Sequence, residues 1–373
     1  MTSRSMTMLA VGDLILDKPN AEFFFALAAP VLKTADVVVG HGETLFTSRG
    51  VNTFVEMIPA PPNDPSNMSA FPFAGFNVVT LAGNHVWDSG APGIEDTIAG
   101  LRKYGIALTG AGMNIDEARK PAIIERSGTR FGFLNYNCVG PIQSWATADK
   151  PGCAFVHIIT HYELNVSNPG GPPTIYTFIE PRSLEAMTDD IRKLRHICDV
   201  LVVVFHKGII NTPIKLAMYE QPISYAAIDA GADLILGHHA HILRGIEQYK
   251  GRTIFHGLGN FIFASMNSVN HRVPHLALQF GVSSVTEFFG PAPDTIERSQ
   301  TIIAKCTIDG GNISRVSYLP CLINQQGQPE ILKNDERGHQ VFDYMDKITR
   351  EAGLNARYEW EGDEVLIMSD KHR

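Results

Sequence analysis

The stretch Asp233-Leu-Ile-Leu-Gly-His-His-Ala-His241 sets an apolar run against a glycine, followed by three imidazoles within four positions. Such a run reads as a buried strand. Its end at Gly237 hands the histidines to a loop at the sheet's carboxyl edge, which in a mostly parallel sheet is where ligands bind. His239 and His241 stand two apart, so in an extended loop both rings point to one side and can grip neighbouring metal ions. The alternative is a solvated polar turn. Three histidines behind one buried strand favour metal over it.

The same pattern recurs outward along the chain. Strand-like runs at 8–11, 37–39, 78–81 and 200–205 end at Gly12-Asp13, Gly40-His41-Gly42-Glu43, Gly83-Asn84-His85 and His206. A further run at 253–255 leads into His256-Gly-Leu-Gly-Asn-Phe261. Between these runs the spacing predicts helices over 21–32, 92–104, 115–119, 182–196 and 223–230. Residues 123–124 and 131–134 read as a sheet pair across the Ser127-Gly128 turn. Strands alternating with helices predict an α/β fold. The segment 140–180 lacks periodicity and reads as a long insertion, as does 264–300. The tail from 301 predicts a strand pair about Asp309-Gly-Gly-Asn312, a helix over 340–352 and a last strand at 365–367. One domain over 1–373 is expected, with no internal repeat.

The 373 residues are 44% apolar and 19% charged, as in globular proteins with a sizeable core. A net charge of -8 argues against nucleic acid or an anionic membrane surface as partner. The five scattered cysteines, Cys138, Cys153, Cys198, Cys306 and Cys321, form no CxxC pair, and reduced thiols in the cytoplasm are the simplest reading. Residues 1–8 hold one arginine and no apolar run of signal-peptide length, so neither export nor anchoring is expected.

The polar strand ends form a chemical set. Asp13, Glu43, Asn84, His206, His239 and His241 offer oxygen and imidazole donors, which suit divalent Mn, Fe or Zn. A carboxylate bridging two cations, flanked by histidines and an asparagine carbonyl, builds a two-metal centre that activates water. Taken singly, Asp13 reads equally as a helix cap, Asn84 as a turn residue and His206 as a core histidine. Gly110-Ala-Gly112 lacks the remainder of a dinucleotide fingerprint, and no Gly-x-Ser-x-Gly elbow occurs.

In order, Gly12-Asp13, Ala82-Gly-Asn-His85 through Asp88 and Gly90, Gly110-Ala-Gly112 with Ala118-Arg119, His206 with Gly208, Gly231 to His241, and Leu258-Gly-Asn-Phe261 form a recognisable set. This set resembles the calcineurin-like metallophosphoesterases, in particular the CapA family of bacterial capsule and poly-γ-glutamate synthesis. The resemblance covers residues 8–263. It implies a four-layer α/β/β/α sandwich with loop-rich insertions, in which 301–373 complete a sheet. It further implies that Asp13 holds one cation, with Glu43 as the second acidic group. Asn84 and His206 hold the other, and His239 and His241 complete the pair. His85 is implied as general acid or electrostatic stabiliser, with Asp88 orienting it, although Asp88 reads equally well as a helix cap.

The chain also departs from the family pattern. Asp-x-His becomes Asp13-Leu-Ile15, Asn-Leu-Glu becomes His41-Gly42-Glu43, and His-Trp-Gly becomes His206-Lys207-Gly208. His41 reads as a substitute ligand, a substrate-facing group or a plain turn residue. Lys207 brings a positive charge near the site or points to solvent, and His256 stands where an aromatic residue is expected. With His238 and Asn260 these complete the candidates. The departures suggest a changed substrate.

The expected function is a metal-dependent hydrolase, with two divalent cations, acting on a small molecule through an activated water. The alternatives are a capsule or poly-γ-glutamate biosynthesis protein and a binding module whose metal site has decayed. Neither nucleic acid nor membrane is an expected partner, and homo-oligomerisation is left open. Trp145, Phe155, Tyr162 and Phe263, in or beside the insertions, are expected to line the pocket.

Overall fold

A computed structural model describes residues 5–49, 60–164, 174–263 and 295–369. Two large sheets carry the chain. The first runs in the order Ala356–Glu361, Glu364–Ser369, Asn312–Ile323, Gln300–Asp309, Met6–Ile15, Val37–Gly42, Val78–Thr80 and Ala107–Thr109. Asn260–Phe263 also pairs with Met6–Ile15, in parallel. The four strands nearest the N-terminus are mutually parallel, whereas Gln300–Asp309 and the strands beyond it are antiparallel. The second sheet runs Leu243–Tyr249, Arg252–Leu258, Leu234–His238, Val200–His206, Thr129–Asn137 and Ala122–Arg126, with both outermost strands antiparallel to their neighbours.

Strand residues alternate between faces, and the core is sorted accordingly. Met8, Ala10, Val37 and Val39 of the first sheet share a buried cluster with Phe131, Phe133, Val202, Val204 and Leu236 of the second. The intervening residues Leu9, Val11, Val38 and Val79 pack instead with Phe25, Phe71, Ile94 and Leu101. On the second sheet Leu134, Val203, Phe205 and Ile235 pack with Met187, Ile191 and Ile223. Strands buried on both faces explain why these runs read as continuously apolar rather than alternating.

Helix Pro181–Arg195 shows how local chemistry sets an element. The Glu180 carboxylate accepts from the amides of Arg182 and Ser183, and Pro181 occupies the first turn, where a missing N–H costs nothing. Met187, Ile191 and Leu194 then recur at helical spacing on the buried face.

Several sequence expectations are corrected. The helix expected over 21–32 is two short helices, Ala21–Phe25 and Ala29–Leu32, because Pro30 has no amide to continue the ladder. The segment 140–180 is not structureless, since Ile158–Glu163 pairs antiparallel with Thr174–Ile179. Strands Leu243–Tyr249 and Ala356–Glu361 had no clear sequence signal. Of the 264–300 insertion, 264–294 lie outside the described residues, while Thr295–Ser299 is a helix. Met6–Ile15 does not end at Asp13 but bulges there and continues, because Asn260–Phe263 supplies a partner for its second half. Among the described residues no helix is long and apolar enough to cross a membrane.

Candidate metal centre

Strand register gathers the donors first. In the first sheet Asp13 lies opposite His41 on one side and Asn260 on the other. In the second, His206 lies opposite His238. The backbones approach closely to achieve this. The Asp13 amide donates to Gly259 O at 3.0 Å, and a Cβ on Gly12 would stand 2.0 Å from that oxygen, so only glycine fits. His239 and His241 adopt φ of 89° and 59°, left-handed values that favour glycine and that cluster at functional sites when other residues take them.

The side chains fall into two groups. In one, Asn84 Oδ1 lies 2.7 Å and His239 Nδ1 lies 3.1 Å from His206 Nε2. Three donors at such spacing suit the ~2.0–2.2 Å bonds of a single cation. In the other, ligand atoms of Asp13, Glu43 and His241 lie within 4.8 Å of one another. There His241 Nε2 is 3.3 Å from Glu43 Oε1, and His241 Nδ1 is 3.6 Å from Asp13 Oδ2.

Around these groups sits a layer that fixes them. His238 Nδ1 is 2.7 Å from Asp13 Oδ1 and donates to it. Asn260 Oδ1 accepts from His241 Nδ1 at 2.9 Å, and its amide donates to His241 O. His41 Nδ1 is 3.0 Å from Thr80 Oγ1, and the His41 ring centroid lies 4.9 Å from that of His206 and 4.8 Å from that of His238.

The electrostatics suit a cation. Burial pushes His41 and His239 down to about 3, helped by the neighbouring rings. Burial lowers His206, helped by His239, His41 and His238, and burial lowers His241 against the opposing pull of Asp13 and Asn260. Burial alone would raise Asp13, but His238, His41 and His241 outweigh it and hold the carboxyl at about 2. Neutral imidazoles and ionised carboxylates are the ligating forms. The donor set therefore fits divalent cations. His206 Nδ1 and His41 Nε2, buried without a hydrogen-bond partner, lie against Gly83 and away from both donor groups.

His85 sits beside the second group. Its Nε2 is 4.0 Å from Glu43 Oε1 and its Nδ1 is 2.7 Å from Asp88 Oδ2. Asp88 also accepts from the Ala60 amide at 2.6 Å. Ser89, not Asp88, stands at the N-cap position of helix Gly90–Lys103 and makes no side-chain capping bond, while the Asp88 carboxylate is spent on His85 and the Ala60 amide.

Lys207 and His256 are placed differently from expectation. Lys207 neither reaches solvent nor joins the donors. It is fully buried, with Nζ 2.9 Å from His256 Nδ1 and 3.5 Å from Glu220 Oε2. His256 turns its other nitrogen to Glu247 Oε2 at 2.9 Å, and Arg244 Nη1 meets Glu220 at 3.1 Å. A buried charge network thus stands behind the centre, tied to it by the Lys207 amide, which donates to His238 O. Glu220, Arg244 and Glu247 lie in no motif, and sequence reading missed them. Of the aromatic candidates, Trp145 stacks on Phe155 at 4.2 Å and Phe263 lies over His241 at 6.3 Å, while Tyr162 is exposed on the hairpin.

Residues 7–265 match the family described as bacterial capsule synthesis protein PGA_cap. The chain belongs to this family. Every candidate donor of the PGA_cap chain, from Asp13 to Asn260, falls inside the matched region, whereas Gln300–Asp309 and the strands after it fall outside. Among its relatives is the capsule biosynthesis protein CapA of Bacillus anthracis, 27% identical over 272 residues, or 70% of this chain and 60% of that protein. The PGA biosynthesis protein CapA of Bacillus subtilis is 25% identical over 68% of this chain and 62% of its own length. A probable polyglutamine synthesis accessory protein of Mycobacterium tuberculosis is 28% identical over 64% of this chain and 58% of its own. The chain thus spans about 60% of the length of these three relatives. Among solved structures, the calcineurin-like phosphoesterase YfkN of Bacillus subtilis aligns with 93% of this chain and 97% of its own at 14% identity and a TM-score of 0.42. At that score the likeness adds nothing to the family assignment.

Proposed function

We propose that the protein is a hydrolase dependent on divalent cations, two per chain, acting on a small molecule. The observation that carries this reading is the convergence of Asn84, His206 and His239 beside Asp13, Glu43 and His241. Cations held there, of the Mn, Fe or Zn kind, would polarise a substrate oxygen and activate water. The chain's own residues do the rest. His238 and Asn260 hold Asp13 and His241 in register. Asp88 fixes the His85 ring so that Nε2 faces the centre, where it can hold or pass a proton to a leaving group. Residence in the cytoplasm, where the five free cysteines would stay reduced, belongs to the same reading.

Elemental analysis of wild type and His239→Ala after metal-replete expression tests it. About two ions per chain in wild type, falling by half or more in the variant, is the expected result. No bound metal in either protein sinks the hydrolase. A second reading, a part in capsule or polyglutamate biosynthesis, is favoured by the names of the relatives. Retention of poly-γ-glutamate by the purified chain would support it, and the two readings are compatible.

A further inference from the structure

A cavity of about 590 Å³ opens beside the metal centre without including any of its donors. Its volume lies within the ~300–1,000 Å³ of small-molecule sites. Two of its walls are segments that follow neighbouring strands of the second sheet. Residues 138–145 continue from Thr129–Asn137 and residues 208–219 from Val200–His206, while the hairpin of Ile158–Glu163 and Thr174–Ile179 closes the third side. The walls are tied to the centre by backbone bonds, Cys138 N to His206 O at 2.9 Å and Asn211 N to Ala240 O at 2.9 Å. The turn Ile142–Ser144 packs against Asn84–Trp87, which carries Asn84 and His85.

Two properties define what this cavity would take. The lining is apolar, and Ile142, Ile175 and Met218, from three separate segments, are 65%, 55% and 53% exposed at it. Contiguous exposed apolar side chains of this kind mark ligand grooves. Second, two lining residues hold buried polar atoms without a partner, Trp145 Nε1 and Thr177 Oγ1. The indole N–H is a donor only, and the hydroxyl donates or accepts. Each is costly to leave unmade, so a ligand oxygen that reached either atom past the wall would be held there. The lining contains no carboxylate and a single lysine, Lys215.

We propose that this cavity binds the non-reacting part of the substrate, an aryl or branched alkyl group bearing a hydrogen-bond acceptor. The proposal rests on the hydrolase reading and narrows its substrate class.

The test uses 1-anilinonaphthalene-8-sulfonate, an aryl group with acceptor oxygens, titrated by fluorescence into wild type, Ile175→Asp, Met218→Asp and His239→Ala. Ile175 and Met218 are exposed, so their replacement does not disturb the core. Saturable binding at about one probe per chain is expected, weakened about tenfold in each aspartate variant and unchanged in His239→Ala. Unsaturable binding, or affinities within twofold of wild type in both aspartate variants, overturns the cavity proposal. Bound metal with probe binding indifferent to both aspartates leaves the hydrolase and removes the cavity. No bound metal with the expected probe pattern removes the hydrolase and leaves a ligand site.

Discussion

Glu220→Gln probes the buried network behind the centre. The Glu220 carboxylate faces Lys207 Nζ at 3.5 Å and Arg244 Nη1 at 3.1 Å, and all three side chains have no solvent exposure. Burial alone would raise the Glu220 carboxyl, but Lys207 and Arg244 outweigh it and hold it below the usual range. Burial likewise lowers Lys207 while Glu220 opposes the shift. Glutamine keeps the shape and removes the charge, which leaves two buried cations without a counterion. Breaking a buried pair in this way costs about 3–5 kcal/mol. At about 2.1 cal/mol/K per residue, the unfolding entropy of 373 residues is about 0.8 kcal/mol/K, so Tm falls by about 4–6 °C. Lys207→Met is a different perturbation, because Glu220 keeps Arg244, and it shifts Tm by about 1 °C or less in either direction. The double variant holds one buried cation fewer than Glu220→Gln and melts higher than that single variant, a coupling that a thermodynamic cycle reads directly. Melting followed by circular dichroism at neutral pH decides the matter. A Glu220→Gln Tm within 1 °C of wild type, or a double variant melting below it, would refute the reasoning.

The remaining predictions concern the centre. His41, His239 and His256 have folded values of about 3, 3 and 4, below the ordinary 6.5, so between those limits the unfolded chain binds more protons. Stability of the metal-free protein is therefore full above about pH 6.5 and is lost as pH falls towards 4, by up to about 1.4 kcal/mol per pH unit per ring; a urea midpoint flat from pH 7 to 5 contradicts this. Saturating Mn²⁺ or Zn²⁺, at about one hundred times Kd, adds about 2.7 kcal/mol per occupied site and so raises Tm by about 3–4 °C for one ion and about 7 °C for two, reversed by chelator, and no shift with any divalent ion counts against the centre. Asp88→Asn is expected to leave metal content unchanged while lowering turnover about 10–100-fold, since it loosens His85 and touches no proposed ligand. Loss of metal in that variant would show that Asp88 acts on the ligands instead.

Much of this was legible in the sequence because buried parallel strands write themselves as apolar runs, and their carboxyl ends are marked by a change to polar residues. Asp13, Asn84, His206, His239 and His241 were found that way, and the structure brings them together. What stayed hidden depends on long-range packing. Glu220 is a helix residue like any other until Arg244 arrives against it from a strand and Lys207 from just past the end of another. The strand Leu243–Tyr249 carries Arg244 and Glu247 among its buried residues, so its pattern does not alternate. The cavity was beyond reach for the same reason, since three segments distant in sequence build its walls.

The strand that carries Asp13 also sets an order of assembly. Met6–Ile15 is held on one side by Gln300–Asp309, with Met6 opposite Ile308. During synthesis its amides on that side wait while roughly 300 further residues are made, on the order of 15–60 s at bacterial elongation rates. Through that interval an apolar strand stands with an open edge, a template for pairing with other nascent chains. Asp13 lies past that pairing, opposite Asn260 and His41, so its own partners are made well before the edge closes. The donors from Asp13 to Asn260 are therefore all made before the strand that covers Met6–Ala10, and the centre's residues are on hand while that edge still stands open.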